Sequence, residues 1–158
     1  MSNILTAFLA LFLCSGSALA QQRINLEQER AALLQIHQTD RQAHFQSDAD
    51  LLLRNSADEF ISVSNGKINR ESRDKVREFF KDYFNNAKYY EWDDLEPPII
   101  KVSADASMAW MIVRTKVRRA QRGPGGQERE ISFVYAGIMT YEKQNGKWAR
   151  VANVSTFE

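Results

Sequence analysis

Hydrophobic residues recur with helical spacing early in the chain and with strand spacing later. From Asn25 to Gln46 the buried-type side chains return every three or four residues, which predicts a long helix with Asn25 as its N-cap. A short second helix is expected at Leu51–Leu53, with Ser47 as its cap. The β-branched and aromatic residues at 59–64 then predict a strand that ends in an Asn-Gly turn.

The clearest amphipathic pattern lies between residues 72 and 85. Apolar side chains fall there at positions i, i+3, i+4, i+7 and i+8, namely Val76, Phe79, Phe80, Tyr83 and Phe84. We therefore predict a third helix, capped by Asn69 or Ser72, whose phenylalanines pack into the core.

From Lys88 onward the pattern is typical of strands, predicted at 88–92, 99–103, 109–117, 130–142 and 148–157. Pro97 and Pro98 exclude a central ladder position and predict an edge or a break. Helices early and antiparallel strands late indicate an α+β fold. The expected architecture is a conical, curved antiparallel sheet wrapped around the first helix and the third, amphipathic helix.

The first twenty residues have the features of a secretory signal peptide. An apolar run from Ile4 to Cys14 is followed by Ala18-Leu19-Ala20, which fits a cleavage site. The run is shorter than the ~20 residues of a membrane-spanning helix, although a retained anchor is the alternative. We expect residues 1–20 to be removed and residues 21–158 to form one exported domain, periplasmic or secreted, without membrane association. Cleavage would also remove Cys14, the only cysteine, and with it any disulfide or cysteine nucleophile.

The charges nearly balance, with 21 Lys and Arg residues against 20 Asp and Glu residues. This balance gives no overall field for binding nucleic acid. A basic run at 114–122 is followed by Glu128 and Glu130, so cross-strand ion pairs are expected there instead.

Three segments carry a resemblance to a known family: AHFQSDADLLLRNSADEFISVS at 43–64, EPPIIKVSADASMAW at 96–110 and GKWARVANVS at 146–155. They resemble the nuclear transport factor 2-like, ketosteroid-isomerase-like (polyketide-cyclase-like) superfamily. The resemblance implies a cystatin-like α+β cone with a pocket at its open end, commonly a homodimer across the sheet. Members include isomerases, dehydratases, hydrolases and non-catalytic modules, so the fold does not settle the activity. Relatives often carry His before the serine of the last strand, where this chain has Ala152-Asn153-Val154.

Three ionisable residues, His37, Asp40 and His44, share one face of the first helix. In the fold that the resemblance implies, this face looks into the cavity. Burial there would shift pKa values, and a histidine supported by the aspartate could act as a general base. There are two structural alternatives. The histidines would bond water, Asp40 and backbone at the mouth of the cone, or they would tie the helix to the sheet, with Asp40 paired to Arg114 or Arg41. A metal is not predicted, because residues at i and i+7 lie ~10.5 Å apart along the axis, and no cofactor is predicted.

The strand at 109–117 alternates, so that one face carries the residues expected to line a pocket. Together with two residues of the later strands, the predicted pocket consists of Met111, Val113, Thr115, Tyr135 and Asn153. The main hypothesis is an exported domain that binds a small apolar or amphipathic molecule without turning it over. The alternatives are an isomerase, dehydratase or hydrolase that uses the His-Asp pair, and a dimerising interaction module.

Overall fold

A computed structural model describes residues 25–123 and 125–158, so the predicted signal peptide lies outside the described residues. The elements are α1 (Leu26–Gln46), α2 (Ala49–Leu53), β1 (Ser56–Ser64), β2 (Lys67–Ser72), α3 (Arg73–Asn85), β3 (Ala87–Asp94), β4 (Ile99–Val102), β5 (Met108–Arg122), β6 (Glu128–Gln144) and β7 (Lys147–Phe157). The predicted α+β class is confirmed. None of the helices in these ranges is both long enough and apolar enough to cross a membrane.

The described strands form one curved, unclosed sheet in the order β2-β1-β7-β6-β5-β3, with β4 paired to β5 as well. β3 and β4 share one edge of β5, and Pro97 and Pro98 lie in the break between them, as predicted. The expectation of a purely antiparallel sheet is wrong at one position, because β1 runs parallel to β7. Both strands start at the same end of the sheet, where Ser56 lies opposite Arg150.

β2 was not expected from the sequence, which predicted a turn leading directly to α3. It forms a hairpin with β1 through the Asn65-Gly66 turn, where both residues have positive φ. All six of its residues are exposed, including Ile68 at 70%. A strand without a buried face leaves no alternating hydrophobic signal, which explains why the pattern did not reveal it.

The helix ends follow the predicted capping chemistry with one exception. The side chain of Asn25 accepts from the first turn of α1, and Ser72 caps α3, as expected. The cap of α2 is Asp48 and not Ser47, because its carboxylate accepts from Leu51 N–H at 2.9 Å. Ser47 instead adopts a left-handed conformation that ends α1, with φ of 54°.

α3 buries a narrower stripe than its sequence pattern predicts. Val76 and Phe84 are buried, whereas Phe79 is 61% exposed. The prediction that all of the phenylalanines pack into the core is therefore wrong for Phe79. The helix packs against α2 and strands β1, β2 and β3.

Two hydrophobic clusters fill the space between the helices and the concave face of the sheet. The first joins Leu33 and Ile36 of α1 to Met111, Tyr141 and Trp148 of the sheet. The second lies further along α1 and consists of Ala43, Ala49, Leu52, Phe84, Ala87, Tyr89 and Val117. Tyr135 packs against both clusters. Polar side chains from α1 and β7 are buried in the same interior, and they define the candidate site.

Candidate functional site

α1 brings three ionisable side chains into the interior of the cone. His37, Asp40 and His44 are only 7%, 8% and 7% exposed, respectively. Because they are three or four residues apart, they lie on the same side of the helix as Leu33 and Ile36, which pack on the sheet. Each of the three finds a different partner.

Asp40 forms an ion pair with Arg150 of β7. The guanidinium donates to Asp40 Oδ2 at 2.7 Å, and the two side chains are 11% and 12% exposed. A second guanidinium nitrogen donates to the carbonyl of Leu52 at 3.0 Å. Burial raises the pKa of Asp40, and the positive charge of Arg150 opposes that rise. Neither Arg114 nor Arg41, the partners considered for Asp40 in the sequence, occupies this position.

A β-bulge explains how Arg150 reaches the interior. The pairing of β6 with β7 is regular at Thr140↔Ala152 and then shifts to Tyr141↔Arg150, which leaves Val151 as the extra residue. Without the bulge, Arg150 and Asn153 would point to opposite faces of the sheet. The extra residue allows both side chains to point inward.

His44 is held as a neutral imidazole. Its Nδ1 lies 2.7 Å from the carbonyl oxygen of Asp40, which can only accept, so Nδ1 carries the hydrogen. The ring stacks on Trp92 with 3.7 Å between centroids and meets Phe84 and Tyr89 edge-on. Burial lowers the pKa of His44 to about 4. Its environment is therefore that of a packed aromatic side chain that carries no charge at neutral pH.

His37 pairs with an acid from the sheet and not with its helix neighbour Asp40. Its Nε2 lies 2.8 Å from Asp94 Oδ2, and the other carboxylate oxygen accepts from the hydroxyl of Thr115 at 3.1 Å. Asp94 and Thr115 are opposite each other in the β3–β5 ladder. The side chain of Asp94 is 28% exposed, against 9% for His37, so this group lies where the interior meets solvent.

Two buried oxygens of the interior have no hydrogen-bond partner among the described residues: the hydroxyl of Tyr141 and the amide oxygen of Asn153. Burial raises the pKa of Tyr141 and of Tyr135, and the charge of Arg150 opposes this in both cases. In Tyr135 a hydrogen bond with the Asn153 side chain also opposes the rise, so only the amide oxygen of Asn153 is left without a partner. The hydroxyl of Tyr135 is 3.7 Å from the sulfur of Met139, a weak acceptor. The interior therefore contains two donors, the Tyr141 hydroxyl and Arg150 Nε, and one acceptor, Asn153 Oδ1, that have no partner among the described residues.

Gly137 makes room for the ring of Tyr135. A Cβ built at this position would lie 2.8 Å from Tyr135 Cζ and 3.0 Å from the carbonyl oxygen of Val154. Any other residue at 137 would push the Tyr135 ring away from the floor of the sheet. Gly137 and Tyr135 lie on the same face of β6. The missing side chain at Gly137 therefore leaves the space in which the Tyr135 ring packs.

All five predicted pocket residues lie on the concave face, but they do not form one group. Met111 and Val113 belong to the first hydrophobic cluster, and Thr115 bonds to Asp94. Tyr135 and Asn153 are the two that lie with the polar side chains of the interior. Whether any of the predicted residues binds a ligand or acts in catalysis stays a prediction.

Three residues of the site were missed in the sequence: Asp94, Gly137 and Arg150. Arg150 reaches the interior through a bulge, which leaves no hydrophobic signature in the sequence. Asp94 ends its strand beside the two prolines and reads as a solvated turn residue. Within residues 25–123 and 125–158, no group of three or more His, Cys, Asp or Glu side chains could hold a metal ion.

Many solved structures share the fold of the described residues. No protein-family model matches the chain, and no curated protein matches it. Among solved structures, a ketosteroid isomerase-like protein from Erwinia carotovora atroseptica has a TM-score of 0.63 at 15% identity, over 82% of this chain and 95% of that one. The predicted nuclear transport factor 2-like, ketosteroid-isomerase-like fold is thereby confirmed.

Two further structural neighbours are described as proteins of other kinds. An NTF2-like protein from Cytophaga hutchinsonii has a TM-score of 0.65 at 12% identity, over 84% of this chain and 98% of that one. The association domain of CaMKII from C. elegans has a TM-score of 0.55 at 14% identity, over 82% of this chain and 96% of that one. Identities this low establish a shared fold and leave the function to the residues of the site.

Proposed function

We propose that this domain binds a small amphipathic molecule inside the cone, with the polar group of the ligand between Tyr141 and Asn153. The observation that carries the proposal is the pair of buried oxygens without partners. Buried polar atoms in folded proteins are nearly always hydrogen-bonded, because an unmade bond costs about 1–3 kcal/mol. A ligand that accepts from the tyrosine hydroxyl and donates to the amide oxygen would satisfy both.

The charges of the interior favour a ligand whose polar group is neutral. Asp40 and Arg150 compensate each other at 2.7 Å, and His44 is uncharged at neutral pH. An added carboxylate or ammonium would be desolvated without a free counter-ion, which costs far more than a neutral hydroxyl or amide. The apolar part of the ligand would contact the flanking clusters, which contain Met111 and Val117.

Catalysis by Asp40 receives less support than binding. Its carboxylate is engaged by Arg150, and neither histidine contacts that carboxylate. A general base must be within hydrogen-bond reach of its substrate, and here one of the two carboxylate oxygens, Oδ2, is already bonded to the guanidinium. Binding without turnover is therefore the function that we propose.

The binding proposal is tested by thermal shift with a panel of neutral alcohols, amides and lactams with apolar bodies, each beside its charged analogue. A ligand selective for the native state raises the melting temperature. We expect neutral compounds to stabilise the protein, with an affinity about 10-fold weaker for Tyr141→Phe, the loss of roughly one hydrogen bond. Tyr90→Phe, at a 41% exposed tyrosine, is the matched control. The proposal fails if no neutral compound stabilises the protein, or if both variants bind equally well.

A homodimer is the second candidate, favoured by the apolar side chains exposed on the outer face of the sheet. Met108, Ile112 and Val154 are 51%, 38% and 43% exposed. The likeness to an association domain is consistent with this use of the fold. Sedimentation analysis of the wild type and of Ile112→Lys tests it: a dimer that the charge disrupts supports it, and a wild-type monomer refutes it.

The third part of the proposal is that the domain is exported from the cytoplasm. Removal of residues 1–20 would place this domain in the periplasm or outside the cell. Expression of the full chain in a bacterium, followed by fractionation and N-terminal sequencing, should give a mature protein that begins at Gln21. Recovery of an intact amino terminus in the cytoplasm would contradict it.

A further inference from the structure

A second concave site lies outside the cone, between the end of α2 and the β6–β7 hairpin. It has a volume of about 370 Å³ and is lined by Arg54, Asn55, Ser56, Lys147 and Trp148, together with neighbouring residues of the hairpin. This volume is within the ~300–1,000 Å³ range of small-molecule sites. We call it the hairpin groove. Its lining does not include Tyr141 or Asn153, although Asn55 and Ser56 are bonded to Arg150 of the interior ion pair.

The charge of the hairpin groove is uncompensated. Arg54 and Lys147 both line it, and no Asp or Glu is among its described lining residues. Neither cation forms an ion pair within the part of the chain that the structure describes, although most other arginines of the domain do. Two positive charges from different elements therefore face one concave surface.

The backbone on both sides of the groove is fixed by local structure. Asn145 and Gly146 have φ of 51° and 77°, so the hairpin turn is tight and Lys147 emerges at a defined place. On the other side, the carbonyl of Asn55 accepts from Arg150 N–H at 2.6 Å, which ties the segment after α2 to β7. Lys147 is the first residue of β7, and the residue after Arg54 is bonded to the same strand.

Ser56 adds a buried donor. It is 5% exposed, and its hydroxyl oxygen accepts from Arg150 at 3.5 Å, which leaves its hydrogen available for an acceptor. The ring of Trp148, also 5% exposed, forms an apolar wall. The set comprises a fork-shaped guanidinium, an ammonium, a hydroxyl and an apolar wall.

We propose that the hairpin groove binds a phosphate-bearing small molecule, with Arg54 and Lys147 on the phosphate oxygens. A guanidinium engages phosphate with two parallel hydrogen bonds, and an ammonium adds a point charge. Two cations match a dianion better than a carboxylate, which carries one charge. The remaining volume, beside Trp148, accommodates an organic group on the phosphate.

The test is isothermal titration of the full chain with inorganic phosphate, phenyl phosphate and acetate at constant ionic strength. We expect saturable binding of phosphate at ~1 mM or tighter, and at least ~10-fold weaker binding by Arg54→Gln/Lys147→Gln. Lys67→Gln/Arg70→Gln is the matched control, because it removes the same two charges from the exposed strand β2. Circular dichroism verifies that both double variants are folded.

The three probes distinguish the sources of the anion. Tighter binding of phenyl phosphate than of inorganic phosphate would assign the groove to an organic phosphate ester, and equal binding would assign it to free phosphate. The proposal is overturned if no probe saturates, if acetate binds as tightly as phosphate, or if both double variants lose the same affinity. None of these results depends on whether a neutral ligand enters the cone.

Discussion

Two consecutive residues of α1 form ion pairs with the sheet, one inside the cone and one outside. Asp40 pairs with Arg150 at 2.7 Å, with side chains 11% and 12% exposed. Arg41 pairs with Asp93 at 2.6 Å, with side chains 47% and 55% exposed. The distances are nearly equal, so the difference between the two pairs is their contact with water.

Burial changes what an ion pair contributes. An exposed pair gains little, because water already solvates both charges and salt screens them. A buried pair has lost that solvation, so each charge depends on the other and on the surrounding hydrogen bonds. The inner pair therefore makes the site sensitive to substitution, whereas the outer pair only supports the position of the helix. The side chain of Glu29, on the same helix, is 20% exposed, which is between the exposures of the inner and outer pairs.

The largest effect is expected for Asp40→Asn, which keeps the shape of the side chain and removes its charge. Arg150 would remain buried without a counter-ion, and breaking such a pair costs about 3–5 kcal/mol. Chemical denaturation of the wild type and the variant measures the loss in the free energy of unfolding. A loss below ~1 kcal/mol, the value of an exposed pair, would show that water reaches Arg150 and would remove the contrast.

The matched control for this variant replaces both members of the inner pair with apolar residues. Asp40→Leu/Arg150→Met leaves no buried charge, and such replacements are often neutral or stabilising by about 1–4 kcal/mol. A double variant that is more stable than Asp40→Asn would show that the cost comes from the orphaned guanidinium and not from altered packing.

The second-largest effect is expected from the protonation of His44, on the inner face of α1. The pKa of His44 falls from 6.5 to about 4 on folding, because burial disfavours the charged ring. Between these values the unfolded chain binds a proton that the folded protein does not. The contribution of His44 to the free energy of unfolding is therefore fully present above pH 6.5. It is lost as the pH falls towards 4, and the total loss is about 3 kcal/mol.

Unfolding at a series of pH values, for the wild type and His44→Phe, isolates this contribution. Phenylalanine keeps a ring against Trp92 and cannot be protonated. The difference between the two proteins should grow by about 3 kcal/mol from pH 7 to pH 4 in favour of the variant. A constant difference would mean that His44 titrates normally and is not enclosed.

The same contrast shows how far the sequence alone could lead. The helical spacing of Leu33, Ile36 and Asp40 identified the buried face of α1, because side-chain direction in a helix follows from spacing alone. Alternation in β5 likewise placed Met111 and Val113 on the concave face. The resemblance to a known family supplied the curvature of the sheet, which periodicity does not encode.

The partners of the inner face could not be predicted in the same way. Arg150 points inward only because Val151 interrupts the alternation of β7, and a bulge has no hydrophobic signature. His37 meets Asp94 across 57 residues of sequence through the packing of α1 on β3, and Asp94 meets Thr115 through the register of β3 with β5. Contacts between distant segments are set by register, and a single sequence constrains register weakly.

An intermediate effect is expected at the amino-terminal end of α1, where Glu29 accepts from Trp148 Nε1 at 2.8 Å and pairs with Lys143. The bond from Lys143 lowers the pKa of Glu29, so its contribution is present above the ordinary pKa of 4.5 and is lost as the pH falls below it. Glu29→Gln should cost about 1–2 kcal/mol at pH 7. Denaturation at pH 7 and pH 3 checks this: the cost should shrink at pH 3, and a cost that does not change with pH would contradict an ionic role.

The smallest effect is expected for the outer pair, at Arg41→Gln. Loss of the contact with Asp93 should cost less than ~1 kcal/mol and should disappear in ~1 M salt, where the Debye length is about 3 Å. Arg41 also donates to the carbonyl of Trp92 at 2.8 Å, and Trp92 stacks on His44. Comparison with Asp93→Asn, which removes only the charge, separates the two contacts. A cost above ~2 kcal/mol for Arg41→Gln alone, unaffected by salt, would mean that the outer arginine holds the indole against the buried imidazole, and that the inner and outer faces are energetically coupled.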